Sequence, residues 1–231
     1  AQKRRKKIKN PLQKGPGMYK ISALVKRILN HYSSPSQILT IPDSDEYVNM
    51  DKNTTVFLGG SIVRRWPLQD LQDVGKVINM GRDSLRVDDL IQLQNRTKLE
   101  TLEARQVCFY CGSNDFFQEI DPKDISTNTI NVLKCIKCPI LYINIIPSPF
   151  LQEFSAYPHL QNTLDTIDEY IKSRGDTSKT ISTKDLFSSS DFQLDGVHLR
   201  DSGYEKLTKC VKKELIVHNS IIDLAKNTFL M

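Results

Sequence analysis

The sequence predicts an α/β domain built on a parallel sheet with helices on both faces. Three observations lead there: short continuous apolar runs closed by glycine or turn residues, amphipathic helical stretches between them, and 39% hydrophobic residues in a chain of 231, enough for one core. Thr55-Val56-Phe57-Leu58, closed by Gly59-Gly60, reads as a strand buried on both faces. Residues 74–80 and 105–110 read as two more strands, residues 139–146 as a fourth, and a weaker one is expected at 180–187. Helices are expected at 87–94, 125–136 and 157–173, the last with Leu160, Leu164, Ile167 and Ile171 on one stripe. A final helix opens with Ser202 and Glu205 at capping-box spacing and runs through Tyr204, Leu207, Val211 and Leu215. Strands alternating with helices imply right-handed βαβ crossovers.

Ahead of this domain, expected to span 54–231, the charge is uneven. Residues 1–14 hold seven cations and no acid, which leaves 25 cations against 27 acids elsewhere, a body of −2 within a net +5. Such a block buries too little apolar surface to order itself, so residues 1–17 are expected to form a disordered arm. Lys3, Arg4, Arg5, Lys6, Lys7 and Lys9 would contact RNA or DNA phosphates, or serve only as a solubilising tail or nuclear-import address. Residues 18–53 read as an amphipathic helix, through Tyr19, Ile21, Leu24, Val25, Ile28 and Leu29, followed by a linker. The longest apolar stretch, 139–150, is broken by Asn144 and Pro147, so no membrane-spanning helix is expected. The basic start continues with Ile8, Lys9, Asn10 and Pro11 and carries no readable secretory signal. Five cysteines, an odd number, point to a reducing compartment, hence the cytoplasm or nucleus, and the opening on Ala1 predicts removal of something upstream.

In a parallel sheet the site is expected beyond the carboxyl ends of the strands. There the chain places Gly59-Gly60-Ser61, Asn79-Met80-Gly81 and Gly112-Ser113-Asn114-Asp115, and before the last helix Asp195-Gly196-Val197-His198. These supply the parts of acyl transfer. A serine hydroxyl needs a base to activate it, and the base needs a third group to hold its tautomer; Ser61, His198 and Asp195 meet that need. The amides of Ser61 and Gly81 and the side chain of Asn114 would stabilise the oxyanion. His31, His159 and His218 fall outside these segments and read as structural.

The four segments, in this order, resemble the blocks of the SGNH-hydrolase family, or GDSL-type esterases, over residues 56–207. The resemblance implies a three-layer α/β/α fold with a flavodoxin-like five-stranded parallel sheet. It also implies a metal-free, cofactor-free serine esterase with Ser61, His198 and Asp195 as triad and Ser61, Gly81 and Asn114 as oxyanion hole. Where the family usually has aspartate before the serine, this chain has Gly60, so the hydrogen bonding around the nucleophile turn is expected to differ. Ser61-Ile62-Val63-Arg64 and Asp195-Gly196-Val197-His198-Leu199 with Ser202-Gly203-Tyr204 are also similar to esterase domains in first-frame proteins of some LINE-type retrotransposons, and to platelet-activating-factor acetylhydrolase-like members. Short acyl esters such as acetyl are the substrate this implies, with Trp66, Phe116, Phe117 and Phe150 as candidate pocket walls. The alternative from a different class is a catalytically silent domain of this fold whose basic arm is the functional element.

Cys108-x-x-Cys111 and Cys135-x-x-Cys138 have zinc-ribbon spacing. The first pair lies in an expected strand, where residues three apart point to opposite faces, so buried thiols are the favoured reading over a metal.

Overall fold

A computed structural model describes residues 51–228. The expected arm and amphipathic helix, with His31, and the expected linker up to residue 50 lie outside the described residues, as does the side chain of His218.

Five parallel strands form the sheet: β1 (Thr55–Gly59), β2 (Val77–Gly81), β3 (Gln106–Tyr110), β4 (Ile140–Ile143) and β5 (Lys179–Ile181). Their order is β2-β1-β3-β4-β5, the flavodoxin-like arrangement, in which the strand order reverses at β1 and β3. Among the described residues six helices join the strands, α1 (Ser61–Arg64), α2 (Val87–Ile91), α3 (Leu93–Glu100), α4 (Ser113–Phe117), α5 (Pro122–Cys135) and α6 (Leu160–Ser173), and α7 (Asp201–Thr228) follows β5.

β1, β3 and β4 are buried along their whole length, which is why they read as continuous apolar runs instead of alternating ones. Phe57, Cys108, Leu141, Ile143 and Ile181 face one layer, where they share a core with Ile62 and Val63 of α1 and with Tyr204, Leu207, Val211 and Leu215 of α7. The alternate residues Val56, Leu58, Val107, Phe109, Ile140 and Tyr142 are also buried, and face the opposite layer. There α5 packs against α2, α3, α4 and α6. Three layers result. Among the described residues no helix is long and apolar enough to cross a membrane.

Several boundaries differ from expectation for identifiable reasons. Val74 closes a 3₁₀ turn (Leu68–Val74), and Gly75 at φ +119° reverses the chain before β2 starts at Val77. The expected helix 87–94 is two helices broken at Gln92, whose ψ of 144° is extended; Leu93, 81% exposed, contributes nothing to an apolar face. β5 ends at Ile181 because Thr183 turns back to bond the carbonyls of Asn144 and Ile145, and Asp185 then adopts φ +58°. α7 begins one residue before Ser202, and the Ser202 hydroxyl donates to Asp191 Oδ1 (3.0 Å), so the expected Ser202–Glu205 capping box does not form. A capping box forms instead between Ser188 and Asp191. β3 stops at Tyr110, leaving Cys111 just past the strand; Cys108, Cys111 and Cys135 are buried free thiols, and Cys138 and Cys210 are partly buried ones. Among the described residues no group of three or more His, Cys, Asp or Glu side chains could hold a metal ion.

Candidate active site

The first crossover positions Ser61. β1 runs into Gly60, and α1 starts at once with Ser61, so the hydroxyl stands beyond the carboxyl end of a central strand. α1 has only four residues and is held from outside. The Tyr204 hydroxyl donates to the Ile62 carbonyl (3.2 Å), and Asn79 Nδ2 donates to the Val63 carbonyl (2.8 Å). Just past the helix, Trp66 Nε1 donates to Thr208 Oγ1 (2.8 Å). The first two of these bonds satisfy carbonyls that a helix terminus otherwise leaves open, and the third ties the end of α1 to α7.

His198 comes from the far end of the chain, 137 residues away, and its Nε2 lies 3.0 Å from Ser61 Oγ. Its Nδ1 lies 2.6 Å from Asp195 Oδ2. The ring is buried at 2% exposure. Asp195 Oδ1 accepts the amides of Val197 (2.9 Å) and His198 (3.0 Å), which fix the carboxylate inside its own turn. Burial pushes the Asp195 carboxyl up, but the hydrogen bonds from the His198 side chain and from these two amides outweigh it and bring it down to about 2. Ser61, His198 and Asp195 thus form one unbroken hydrogen-bonded chain.

Asn114 is placed by α4, whose N-cap Gly112 sits at φ +109°, where a Cβ would also strike Ile145 Cδ1 at 2.8 Å. Its Nδ2 donates to the Leu85 carbonyl (2.9 Å), and an amide nitrogen carries a second N–H. Gly81 is different from expectation. Its N–H donates to Asn79 Oδ1 (2.8 Å), so it is already occupied, and a Cβ there would come within 2.1 Å of the Arg64 nitrogen. Gly81 therefore permits α1 to approach β2 closely and does not offer a free donor. Gly81→Ala should push α1 off the sheet, destabilising the fold by about 1–3 kcal/mol in a denaturant titration and lowering any Ser61-dependent activity with it.

An unpaired backbone amide lies three residues on. Ser84 adopts φ +58°, a left-handed conformation uncommon outside glycine, and its N–H has no partner among the described residues. No sequence signal marks it, because serine gives no warning of a positive φ. Gly60, by contrast, has an ordinary backbone (φ −76°), and a Cβ there would meet Asn114 Nδ2 at 3.4 Å, a normal contact. Gly60→Ala should fold and raise stability by roughly 0.4–1 kcal/mol, read as a higher denaturation midpoint.

Of the candidate wall residues, Trp66 belongs to the core between α1 and α7, and Phe116 is fully buried. Phe117 and Phe150 form an aromatic cluster with Phe154 at centroid distances of 5.2–5.5 Å. The Phe150 N–H donates to the Gly196 carbonyl (3.0 Å), which ties this cluster to the His198 loop. His159 lines a separate cavity of about 560 Å³ with Asp121 and Lys123.

The architecture has clear counterparts among solved structures. A Streptococcus pneumonia protein whose description names platelet activating factor is 18% identical, with a TM-score of 0.59 over 86% of this chain and 94% of that one. The fold is that of the SGNH hydrolases. A carbohydrate esterase family 3 protein from Talaromyces cellulolyticus is 15% identical (TM-score 0.58, 73% of this chain and 99% of that one). A member of the lipolytic G-D-S-L family from Veillonella parvula is 17% identical (TM-score 0.53, 69% and 96%). No protein-family model matches the sequence, and no curated protein matches it.

Proposed function

We propose that the protein is a serine esterase acting on short-chain acyl esters. The observation that carries this reading is the hydrogen-bonded chain from Ser61 Oγ through His198 to Asp195, assembled from both ends of the domain. His198 Nε2 takes the Ser61 proton as Oγ attacks the ester carbonyl, and later returns it to the leaving alcohol; Asp195 accepts the Nδ1–H and so keeps Nε2 free to act as base. Water then hydrolyses the acyl-enzyme by the same steps in reverse. Oxyanion donors are the Ser61 amide, at the open first turn of α1, and the second N–H of Asn114. The third donor passes from Gly81 to Ser84, whose amide has no other partner among the described residues. The Phe117–Phe150–Phe154 cluster gives the acyl group an apolar wall, and esterases among the solved structures of this fold support the reaction class. A fluorophosphonate probe tests it: stoichiometric labelling at Ser61 is expected, and an unlabelled, folded protein overturns the proposal.

The basic arm is proposed to bind nucleic acid independently of this chemistry, on its charge alone. A chain beginning at Met18 should lose RNA affinity and keep ester hydrolysis, and the salt dependence of the full chain should approach a slope of about −5 at most for seven single-strand phosphate contacts. Equal RNA affinity of the two chains at equal salt returns the arm to a solubilising role.

A further inference from the structure

Leu85, Arg86 and Val87 are stitched to α4 and its end, residue by residue. The Leu85 carbonyl accepts Asn114 Nδ2 (2.9 Å), and the Arg86 guanidinium donates to Gln118 Oε1 (3.1 Å). The Val87 N–H is shared by both carboxyl oxygens of Asp115, at 3.2 Å each. On the other side, the Arg86 N–H donates to Asp89 Oδ2 (2.9 Å). Asp115 is 1% exposed, and this amide is what its carboxyl finds in place of water.

The residue immediately before this stretch is Ser84. We propose that Asp115 is a positioning residue: by gripping the Val87 N–H it fixes the Ser84 amide relative to the Asn114 side chain. This rests on the esterase reading above, in which those two groups are oxyanion donors. The two donors come from different strand ends, and both must lie about 2.7–3.1 Å from one oxygen, so a displacement well under 1 Å matters. On the main chain of this segment the Asn114–Leu85 bond is by itself one point of attachment and leaves a hinge there, because the other tie, from the Arg86 guanidinium to Gln118, joins two long side chains. Asp115, the next residue on α4, adds a second anchor two residues further along the same segment and removes the hinge. It also supports a non-glycine residue at positive φ, a conformation that persists only where its surroundings over-determine it.

The grip does not require a charge. Asp88 and Arg86 are the charged groups that act on Asp115, and the Cys111 thiol lies beside it. Burial, reinforced by Asp88, pushes the Asp115 carboxyl up to about 7, and both its ionised and its neutral form accept from Val87. Asparagine keeps one such acceptor; alanine keeps none.

The test compares wild type, Asp115→Asn and Asp115→Ala by kcat and KM on an aryl acetate, by the rate of fluorophosphonate labelling, and by denaturation midpoint. Asp115→Ala should lower kcat roughly 10- to 100-fold, short of the 10²–10³ expected for losing a donor outright, with KM within about threefold and labelling slowed in parallel. Asp115→Asn should recover most of kcat. Equal losses in both variants, a loss confined to KM, or a loss that merely follows the unfolded fraction overturns the positioning role. Should Asp115→Ala not fold, a 100-fold loss in folded Asp115→Asn, or fast hydrogen exchange at the Val87 amide of wild type, overturns it equally. An inert, unlabelled wild type overturns the esterase reading and this inference together; an active wild type with indifferent Asp115 variants overturns this inference alone.

Discussion

Ser61→Ala is expected to cut hydrolysis of an aryl acetate by about 10⁴-fold or more while leaving the fold intact. Removing the hydroxyl deletes the attacking atom but leaves the oxyanion donors and the binding surface, so a residual rate above that of water should survive. Structure predicts little cost to stability. Ser61 lies at the first turn of α1, its side chain bonds only His198 among the described residues, and the helix is fixed by Tyr204, Asn79 and the Trp66–Thr208 bond, none of which involves Oγ. Steady-state turnover and a denaturation curve on the same preparation check both halves. Undiminished turnover in folded Ser61→Ala protein would falsify the assignment.

Asp195→Asn should cost a comparable factor, about 10⁴ in kcat, for a different reason. The amide is nearly the same size, but to keep its own bonds it presents a donor where Asp195 Oδ2 now accepts, and this selects the tautomer of His198 with the proton on the wrong nitrogen. The acid stability profile should change as well. The Asp195 carboxyl is depressed to about 2, below its ordinary value of 3.8, so the unfolded chain takes up this proton first as pH falls. Its contribution is complete above about pH 4 and is lost on going down through about 2. Asp191 acts in the same direction: Lys206 Nζ at 2.6 Å, with the Ser188 amide and hydroxyl and the Ser202 hydroxyl, holds its carboxyl well below the usual range. Stability measured between pH 5 and 2 should therefore fall less steeply in Asp195→Asn than in wild type. Parallel curves would show that Asp195 carries no such linkage.

What was legible in the sequence follows from length and burial. β1, β3 and β4 could be read because both their faces are covered, and the helices α5 and α6 because 14 residues give an apolar stripe room to repeat. α1 and α4 were invisible, since four or five residues make barely one turn, yet these are the elements that carry Ser61 and Asn114. The segments at the strand ends could still be found because each pairs a reactive side chain with a glycine or turn residue. Gly81 shows the limit of that signal: a glycine records that something comes close, and here the thing that comes close is the backbone of α1 rather than an oxyanion. Ser84 shows the converse, a left-handed residue written without glycine. The Asp115–Val87 bond joins residues 28 apart and leaves no pattern in either neighbourhood.

Tyr204 and Thr208 of α7 hold the nucleophile helix across 142 residues of chain, and this has a consequence for the order of events during synthesis. A ribosome that has released the first four strands has already delivered Ser61, Ser84 and Asn114, but α1 at that stage has neither its anchor on Ile62 nor the anchor for Trp66. The nascent chain should stay chemically silent, with its serine unreactive toward a phosphonate probe, until the last helix emerges and docks. Non-local closure of this kind slows folding, because loop entropy must be lost before the contacts can form. It also makes activity report on completion: stalled or truncated chains that end before Tyr204 would carry the nucleophile and still fail to label, so probe reactivity would mark only molecules whose two ends have met.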